Sequence, residues 1–330
     1  MATILDVAKY AGVSPMTVSR VLRGEAGVRE EKKALVREAV KKLHYQPNLS
    51  ARAMRSNQSH MIGILIPNFS NPFYCELAQT LEEMLGEEGY DLLISFSKKD
   101  ESQIESLKYL ISRNVDAMIV SSYSDPSMMY EHIKEYHKEL PTVFLDKVPL
   151  TENIYSVYAD GYDGITQMMN YLIEKGHRRI ALIASELNYD VPNQRLRAYH
   201  DAMEKNGLEI QKGYVYSGDF TLKSGRMAAK SFLALPERPT AILAINDFMA
   251  TGALQYLTDH GISVPDEIAV GGYDGIYVGG LTRPKLTSFG VNIEEMAKAI
   301  VGRLIGHLKN GEAEHTPCVI QGELIRRDSI

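Results

Sequence analysis

Two sets of residues in this 330-residue chain have types and spacing suited to recognition chemistry. The first is compressed into residues 3–22, TILDVAKYAGVSPMTVSRVL, where Thr17, Ser19 and Arg20 fall on the polar side of a short amphipathic stretch. Hydroxyls and a guanidinium suit phosphate oxygens and the acceptor edge of guanine in a major groove. The second set is dispersed. Asp146 closes VFLD, Asn246 and Asp247 follow AILAI, Asp274 follows AVGGY, and Arg195 begins a helical stretch after a loop. Carboxylates, an amide and a guanidinium converging in a cleft can pair with adjacent hydroxyls, and an aromatic face such as Phe73 or Phe220 can cover a sugar ring. Each of these also has a plainer use. Asn246 or Asp247 can cap the following helix, Asp274 can stabilise a turn, and Arg195 can pair with a surface acid.

The elements that must position the first set are legible around it. Ile4, Val7, Ala8 and Ala11 recur at helical spacing and predict an inward-packing helix, with Gly12 supplying the turn. Ser14 is placed to cap a second helix, Pro15 occupies its first position, where the missing N–H costs nothing, and Val18, Val21 and Leu22 predict its buried seam. A third helix is expected over Glu30 to Leu43, with Ala34, Leu35, Ala39, Val40 and Leu43 on one face. Gln46, Pro47 and Asn48 break it. The following LSARAMRSNQS offers one short helix, marginal alone in water, which is either a linker or a segment that folds when DNA and a second subunit support it.

A helix-turn-helix also occurs in proteins that never touch DNA, and charge argues against that reading here. Residues 1–60 hold 11 Lys and Arg against 5 Asp and Glu, while the remainder holds 25 against 37, so a basic head precedes an acidic body. A local basic surface attracts polyanions, and the acidic remainder discourages adhesion elsewhere.

From Met61 onward, apolar runs alternate with amphipathic helices. Expected strands include 62–66, 92–95, 117–120 and 143–145, then 180–183, 241–244 and 268–270. Expected helices include 73–85, 103–112, 163–174, 195–205 and 248–260. Such alternation predicts parallel sheets covered by helices on both faces, arranged as two similar lobes with a ligand where the strands' carboxyl ends face each other. The domain boundaries expected are a head at 1–58, with a hinge helix at about 47–58, and a body at 59–330.

Other classes find little support. No apolar run approaches the roughly 20 residues that cross a bilayer, and the N-terminus lacks a signal pattern, so a cytoplasmic protein is expected. Cys75 and Cys318 form no CxxC pair, which points away from zinc and disulfides and towards two buried small hydrophobes. No metal or other cofactor is expected. There is no GxSxG elbow, no GxGxxG loop, no GK[ST] loop and no HExxH site, so an enzyme is not expected. A transport-type sugar-binding protein would suit the body alone, yet would need a secretion signal and have no use for the basic head.

The ordered segments DVAKYAGVSPMTVSRVL, YQPNLSARAM, GHRRIALI, INDFMATGAL, VGGYD, RPKLTS and ELIRRDS together resemble the LacI/GalR family of bacterial transcription regulators along the whole chain. The resemblance implies a DNA-reading head, a hinge helix entering the minor groove and a periplasmic-binding-protein-like body that senses a small molecule and dimerises. It places Pro15, Met16 and Arg20 at base-reading positions, with Ser14, Thr17 and Ser19 close to phosphates and base edges. Met16 can touch a thymine methyl but cannot make paired hydrogen bonds, which leaves the polar readout to Arg20. Arg29 and Lys32 stand where the family commonly has Ser and Thr, implying more salt-sensitive contacts. Ala51, Ala53 and Met54 match the hinge's wedge positions, with Met replacing Leu. Asn71, Phe73, Asp146, Asp160, Arg195, Phe220, Asn246 and Asp274 match effector-contacting positions, although Gly161 stands where an Asn usually follows Asp160.

The function implied is a homodimeric repressor of carbohydrate-utilisation genes that binds double-stranded DNA at a pseudo-palindromic operator and is switched by a small molecule, most simply a sugar. Alternatives are a corepressor-dependent regulator and a catabolite-control-type regulator with a phosphoprotein partner. The FSNPFYCELAQ segment and Arg303 resemble that last branch, while NIEEM at 292–296 lacks its tyrosine.

Overall fold

The computed structural model describes residues 2–22, 27–45, 58–97, 100–122, 125–185 and 190–330. They form two compact units, Met1–Ser59 and His60–Ile330.

In the first unit, α1 (Ile4–Ala11), α2 (Pro15–Leu22) and α3 (Glu30–Lys42) enclose a core of six buried side chains: Val7, Ala8, Ala11, Val18, Val36 and Ala39. A capping box starts α1: Thr3 Oγ1 accepts from Asp6 N, and the Asp6 carboxylate accepts from Thr3 N. Gly12 ends it at φ 62°, a left-handed conformation that glycine adopts without a Cβ penalty. Ser14 Oγ accepts from Thr17 N at 3.2 Å and caps α2. Three seam assignments change, at Leu22, Ala34 and Leu35, all of which are exposed. Leu22 is 37% exposed and Leu35 48% exposed, while Val36 is fully buried. The buried face of α3 therefore follows Val36, Ala39, Val40 and Leu43, the i, i+3, i+4, i+7 spacing of one helical stripe, from which Ala34 and Leu35 lie off axis. The expected hinge helix, with Ala51, Ala53 and Met54, lies outside the described residues.

The second unit carries two six-stranded sheets. The first contains β1 (Met61–Ile66), β2 (Asp91–Phe96), β3 (Ala117–Val120), β4 (Thr142–Phe144), β5 (Ile154–Ala159) and β11 (Cys318–Ile320), in the order β11-β5-β4-β3-β1-β2 and parallel throughout. The second contains β6 (Ile180–Ser185), β7 (Val215–Gly218), β8 (Ala241–Ala244), β9 (Ala269–Asp274), β10 (Thr287–Val291) and β12 (Gly322–Ile325), in the order β12-β10-β9-β8-β6-β7. It is parallel except at β12, which pairs antiparallel with β10. The central strands are buried apolar runs, as sheets covered on both faces require. The helices are α4 (Pro72–Glu87), α5 (Asp100–Ser112) and α6 (Ser127–Tyr136), then α7 (Gly161–Glu174), α8 (Asp190–Lys205), α9 (Leu222–Leu233), α10 (Asp247–Asp259) and α11 (Ile293–Asn310).

The chain passes between the sheets three times, each time through one residue: Asp160 between β5 and α7, Asn292 between β10 and α11, and Gln321 between β11 and β12. Asp160 and Asn292 adopt nearly the same backbone angles, φ −74° ψ 93° and φ −75° ψ 92°, and each caps the helix it precedes. No described helix is long and apolar enough to cross a membrane.

Candidate functional sites

On the head, α2 presents the expected polar side. Ser14, Pro15 and Met16 are exposed, Met16 at 68%, while Thr17, Ser19 and Arg20 are half-buried. The Arg20 guanidinium approaches the turn before α3 closely enough that a Cβ on Gly27 would lie 3.2 Å from Nη2. Arg29 and Lys32 are exposed at the start of α3, where Arg29 occupies the N-cap position without a side-chain capping bond. Hydroxyls, a guanidinium and an apolar tip are thus presented along α2, with cations at the start of α3.

The body's site is a cleft, partly open to solvent, at the carboxyl ends of the parallel strands of both sheets. The residues that follow the strands build it: Asn68 after β1, Ser121 and Ser122 after β3, Leu145 and Asp146 after β4, Asp219 and Phe220 after β7, and Ile245 and Asn246 after β8. Asp274 ends β9 and Arg195 comes from α8. Asn71 and Phe73 line it from the start of α4. Seven of the eight effector positions expected from the sequence therefore face one cavity. Asp160 does not line it: its carboxylate accepts from Asp163 N at 2.9 Å and caps α7 at the interlobe crossing.

Each polar member is held from behind. Asp146 is buried and accepts from Ser122 N at 3.0 Å. Asn71 accepts from Phe73 N at 3.1 Å, and Asn246 accepts from Met249 N at 3.0 Å. The capping use of Asn246 thus occurs together with its cleft position, because Nδ2 remains buried without a partner. The guanidinium of Arg195 lies 3.7 Å from the Tyr273 ring centroid and donates to the Ile245 carbonyl. Ser122 Oγ, Asp274 Oδ2 and Arg195 Nε are also buried without partners. Buried polar atoms are normally satisfied, and four of the seven without a partner among the described residues belong to residues lining this one cleft.

Asp274 is the most constrained member. Its φ is 122°, outside the range that L-residues ordinarily adopt, and Gly275 follows at φ 77°. Asp247 braces this turn, with Oδ2 accepting from Ile276 N at 2.9 Å and Oδ1 from Ser288 Oγ; Ser288 Oγ in turn accepts from Gly275 N. Asp247 is fully buried and faces away from the cavity, so of the two acids considered around that turn only Asp274 meets the cleft. Burial raises the Asp274 carboxyl to about 7, against the opposing pull of the Arg195 charge and the Asn71 amide. Burial, and after it the Asp274 charge, raises the Asp247 carboxyl well above its ordinary range.

Sequence reasoning missed Tyr74, Tyr158, Asp219 and Met296 among the lining residues. Only the position of Asp219 directly before Phe220 offered a local signal. The cysteines also differ from expectation: Cys75 is exposed on α4 and Cys318 is half-buried on the edge strand β11. Arg303, the feature shared with the phosphoprotein-controlled branch, is 8% exposed and donates to the Ala299 and Thr316 carbonyls. Among the described residues, no group of three His, Cys, Asp or Glu is placed to hold a metal ion.

A helix-turn-helix unit carried in one chain with a two-lobed, cleft-bearing α/β body defines a DNA-binding regulator with a small-molecule-binding domain. Residues 3–48 match the bacterial regulatory proteins of the lacI family, and residues 169–330 match the periplasmic binding protein-like domain. The chain is 36% identical over 308 residues to the ribose operon repressor of Escherichia coli K12, covering 92% of each. It is 30% identical over 333 residues to the HTH-type transcriptional repressor PurR of Mannheimia succiniciproducens, covering 100% of this chain and 99% of that one. The crystal structure of the Lac repressor dimer bound to operator and the anti-inducer ONPF superposes with a TM-score of 0.86 at 26% identity, covering 99% of this chain and 98% of that one. The chain belongs to the lacI family of bacterial regulatory proteins.

Proposed function

We propose that the chain acts in the cytoplasm, without enzymatic activity, as a homodimeric repressor of carbohydrate-utilisation genes. Two heads read a pseudo-palindromic operator in double-stranded DNA, and a sugar bound in the cleft controls their affinity. Arg20 reads a base edge, Met16 packs against a thymine methyl, Ser14, Pro15, Thr17 and Ser19 position the helix, and Arg29 and Lys32 hold phosphates. Asp146, Arg195, Asn246 and Asp274 take the sugar's hydroxyls, while Phe73 and Phe220 cover its apolar faces and Asn71 steadies Asp274. Asp160 acts at the crossing between lobes.

The observation that carries the effector half is the set of unpartnered buried atoms of Ser122, Arg195, Asn246 and Asp274 on one cleft. Two donors, an acceptor and a hydroxyl around apolar walls match a polyol better than an apolar ligand. The mechanism follows from the connections. A ligand touching both lobes binds best at one interlobe angle and shifts the population towards it, with rotation absorbed at Asp160, Asn292 and Gln321. The transport alternative leaves the basic head unexplained.

The test is selection of DNA by the full chain from a random pool, followed by titration of the selected site in the presence of a panel of sugars. Expected are a site with two-fold symmetry and at least one sugar that changes its affinity. A selected site without symmetry removes the dimeric reading, and a panel without effect removes the carbohydrate one.

A further inference from the structure

Acidic side chains outnumber basic ones in the cleft. Three carboxylates line it, Asp146, Asp219 and Asp274, against the single guanidinium of Arg195. That guanidinium is already stacked on Tyr273 and bonded to the Ile245 carbonyl. Two helices, α4 and α10, begin at the cleft, and helix N-termini attract anions. In both, a neutral asparagine cap accepts a leading amide, Asn71 from Phe73 N and Asn246 from Met249 N, and the first turn of α10 also carries the Asp247 carboxyl.

Asp219 differs from the other two acids. Asp146 and Asp274 are buried and braced in the floor, whereas Asp219 is exposed at the end of β7 and its Oδ1 accepts from Thr221 N and Thr221 Oγ1. Partial burial opposes ionisation there, but the Thr221 and Ser224 hydrogen bonds outweigh it and hold the carboxyl below its ordinary range. The cleft therefore carries a fixed negative charge beside Phe220.

We infer that Asp219 is a specificity-determining residue: its charge, beside Asp146, restricts the effector to uncharged polyhydroxylated compounds and excludes their phosphate esters. The inference rests on the reading of the cleft as a carbohydrate site. A phosphoryl group brings roughly −1.5 to −2 charge near neutral pH. Repulsion between like charges grows as water is displaced around them. An uncharged sugar escapes that cost, since its hydroxyls can donate to Asp274 Oδ2 and accept from Asn246 Nδ2.

The full chain is titrated by calorimetry and thermal shift with matched pairs: D-ribose and D-ribose 5-phosphate, D-glucose and D-glucose 6-phosphate, D-fructose and D-fructose 6-phosphate. Expected is binding of at least one unesterified sugar, with its ester weaker by about tenfold or more, and a gap that narrows as salt rises. In Asp219→Asn, which keeps an oxygen acceptor for the Thr221 turn and removes the charge, the ratio between sugar and ester narrows by about threefold at low salt. The ratio is the readout, because a purely steric exclusion of the phosphate would respond to neither salt nor the substitution. An ester that binds as well as its parent, or a ratio unmoved in Asp219→Asn, overturns the inference and leaves the carbohydrate reading standing. If no member of any pair binds, the carbohydrate reading falls and this inference with it.

Discussion

In the head, Thr17, Ser19 and Arg20 lie within one eight-residue helix over a core of six side chains, whereas in the body Asp146, Arg195, Asn246 and Asp274 reach the cleft from four separate elements. The groups are similar, hydroxyl, guanidinium, amide and carboxylate, but their supports differ. A short recognition helix needs only one buried stripe to aim its outer face. The cleft needs two complete sheets, because Asp146, Asn246 and Asp274 each sit at the end of a strand whose place depends on its neighbours. Damage to the body's packing should therefore act on the whole unit, while damage to the cleft or the recognition helix should act on one ligand.

The largest effect is expected from Gly252→Ala. A Cβ at Gly252 would stand 2.1 Å from the Leu222 carbonyl oxygen, and at the facing Gly225 it would stand 2.0 Å from the Met249 carbonyl oxygen, so α9 and α10 pack backbone against backbone. Separating them costs about 3 kcal/mol, at the upper end for overpacking. Thermal denaturation of the full chain should show the body's transition fall by several degrees. An unchanged transition would mean that the two helices have room to part.

Next come Asp274→Ala and Arg195→Ala, which should each weaken effector binding at least about tenfold and abolish the effector's influence on DNA, with operator affinity nearly intact. Calorimetry with the sugar and mobility shift with the operator separate the two readouts. Parent-like sugar binding in well-folded variants would misplace the cleft's polar centre. Loss of folding in both would return them to the plainer roles of turn and surface partner.

That contrast also explains what could be read in advance. The head's helices, the turn at Gly12 and the Ser14 cap were legible because each depends on residues within a few positions. The buried stripe of α3 was misread at its start, where Ala34 and Leu35 are exposed and Val36 is buried, since all three are apolar and only the packing partner distinguishes them. In the body, β1, β3, β6 and β8 stand out as apolar runs, but β10 does not: TSFGV is buried throughout, with Thr287 N donating to Ser329 Oγ and Ser288 Oγ donating to Asp247. Its polar groups are satisfied inside the protein, so no alternation of polarity marks it. The cleft acids were found through strand ends and family resemblance. Tyr74, Tyr158 and Met296 could not be, because nothing local distinguishes an aromatic or Met side chain facing a cavity from one facing a core.

On the head, Arg20→Ala should reduce discrimination between operator and random DNA by roughly 1 to 3 kcal/mol, whereas Lys32→Ala should weaken both and lower the salt slope by about one. Mobility-shift titrations at several salt concentrations decide this. If Arg20→Ala weakened both DNAs equally, the readout would belong to another residue, with Met16, 68% exposed beside it, the first to test.

The smallest effect expected is a pH dependence confined to the body. The Asp274 carboxyl, raised by burial to about 7 from an ordinary 3.8, faces Arg195 and Asn71, with Glu76 nearby and Asp247 behind it. Because the folded state holds this proton more tightly than the unfolded chain does, the stability the group contributes is full below about 4, declines as pH rises and is lost above about 7. Sugar binding runs the other way. A hydroxyl donating to Asp274 favours the carboxylate, so affinity should rise about fivefold between pH 6 and 8 and flatten above that. DNA binding by the isolated recognition surface has no such group among Ser14, Met16, Thr17, Ser19 and Arg20, and should not share the profile. In Asp274→Asn the residual sugar binding should be flat across the same range; a profile that persisted there would assign the titration to Glu76 or Asp247 instead.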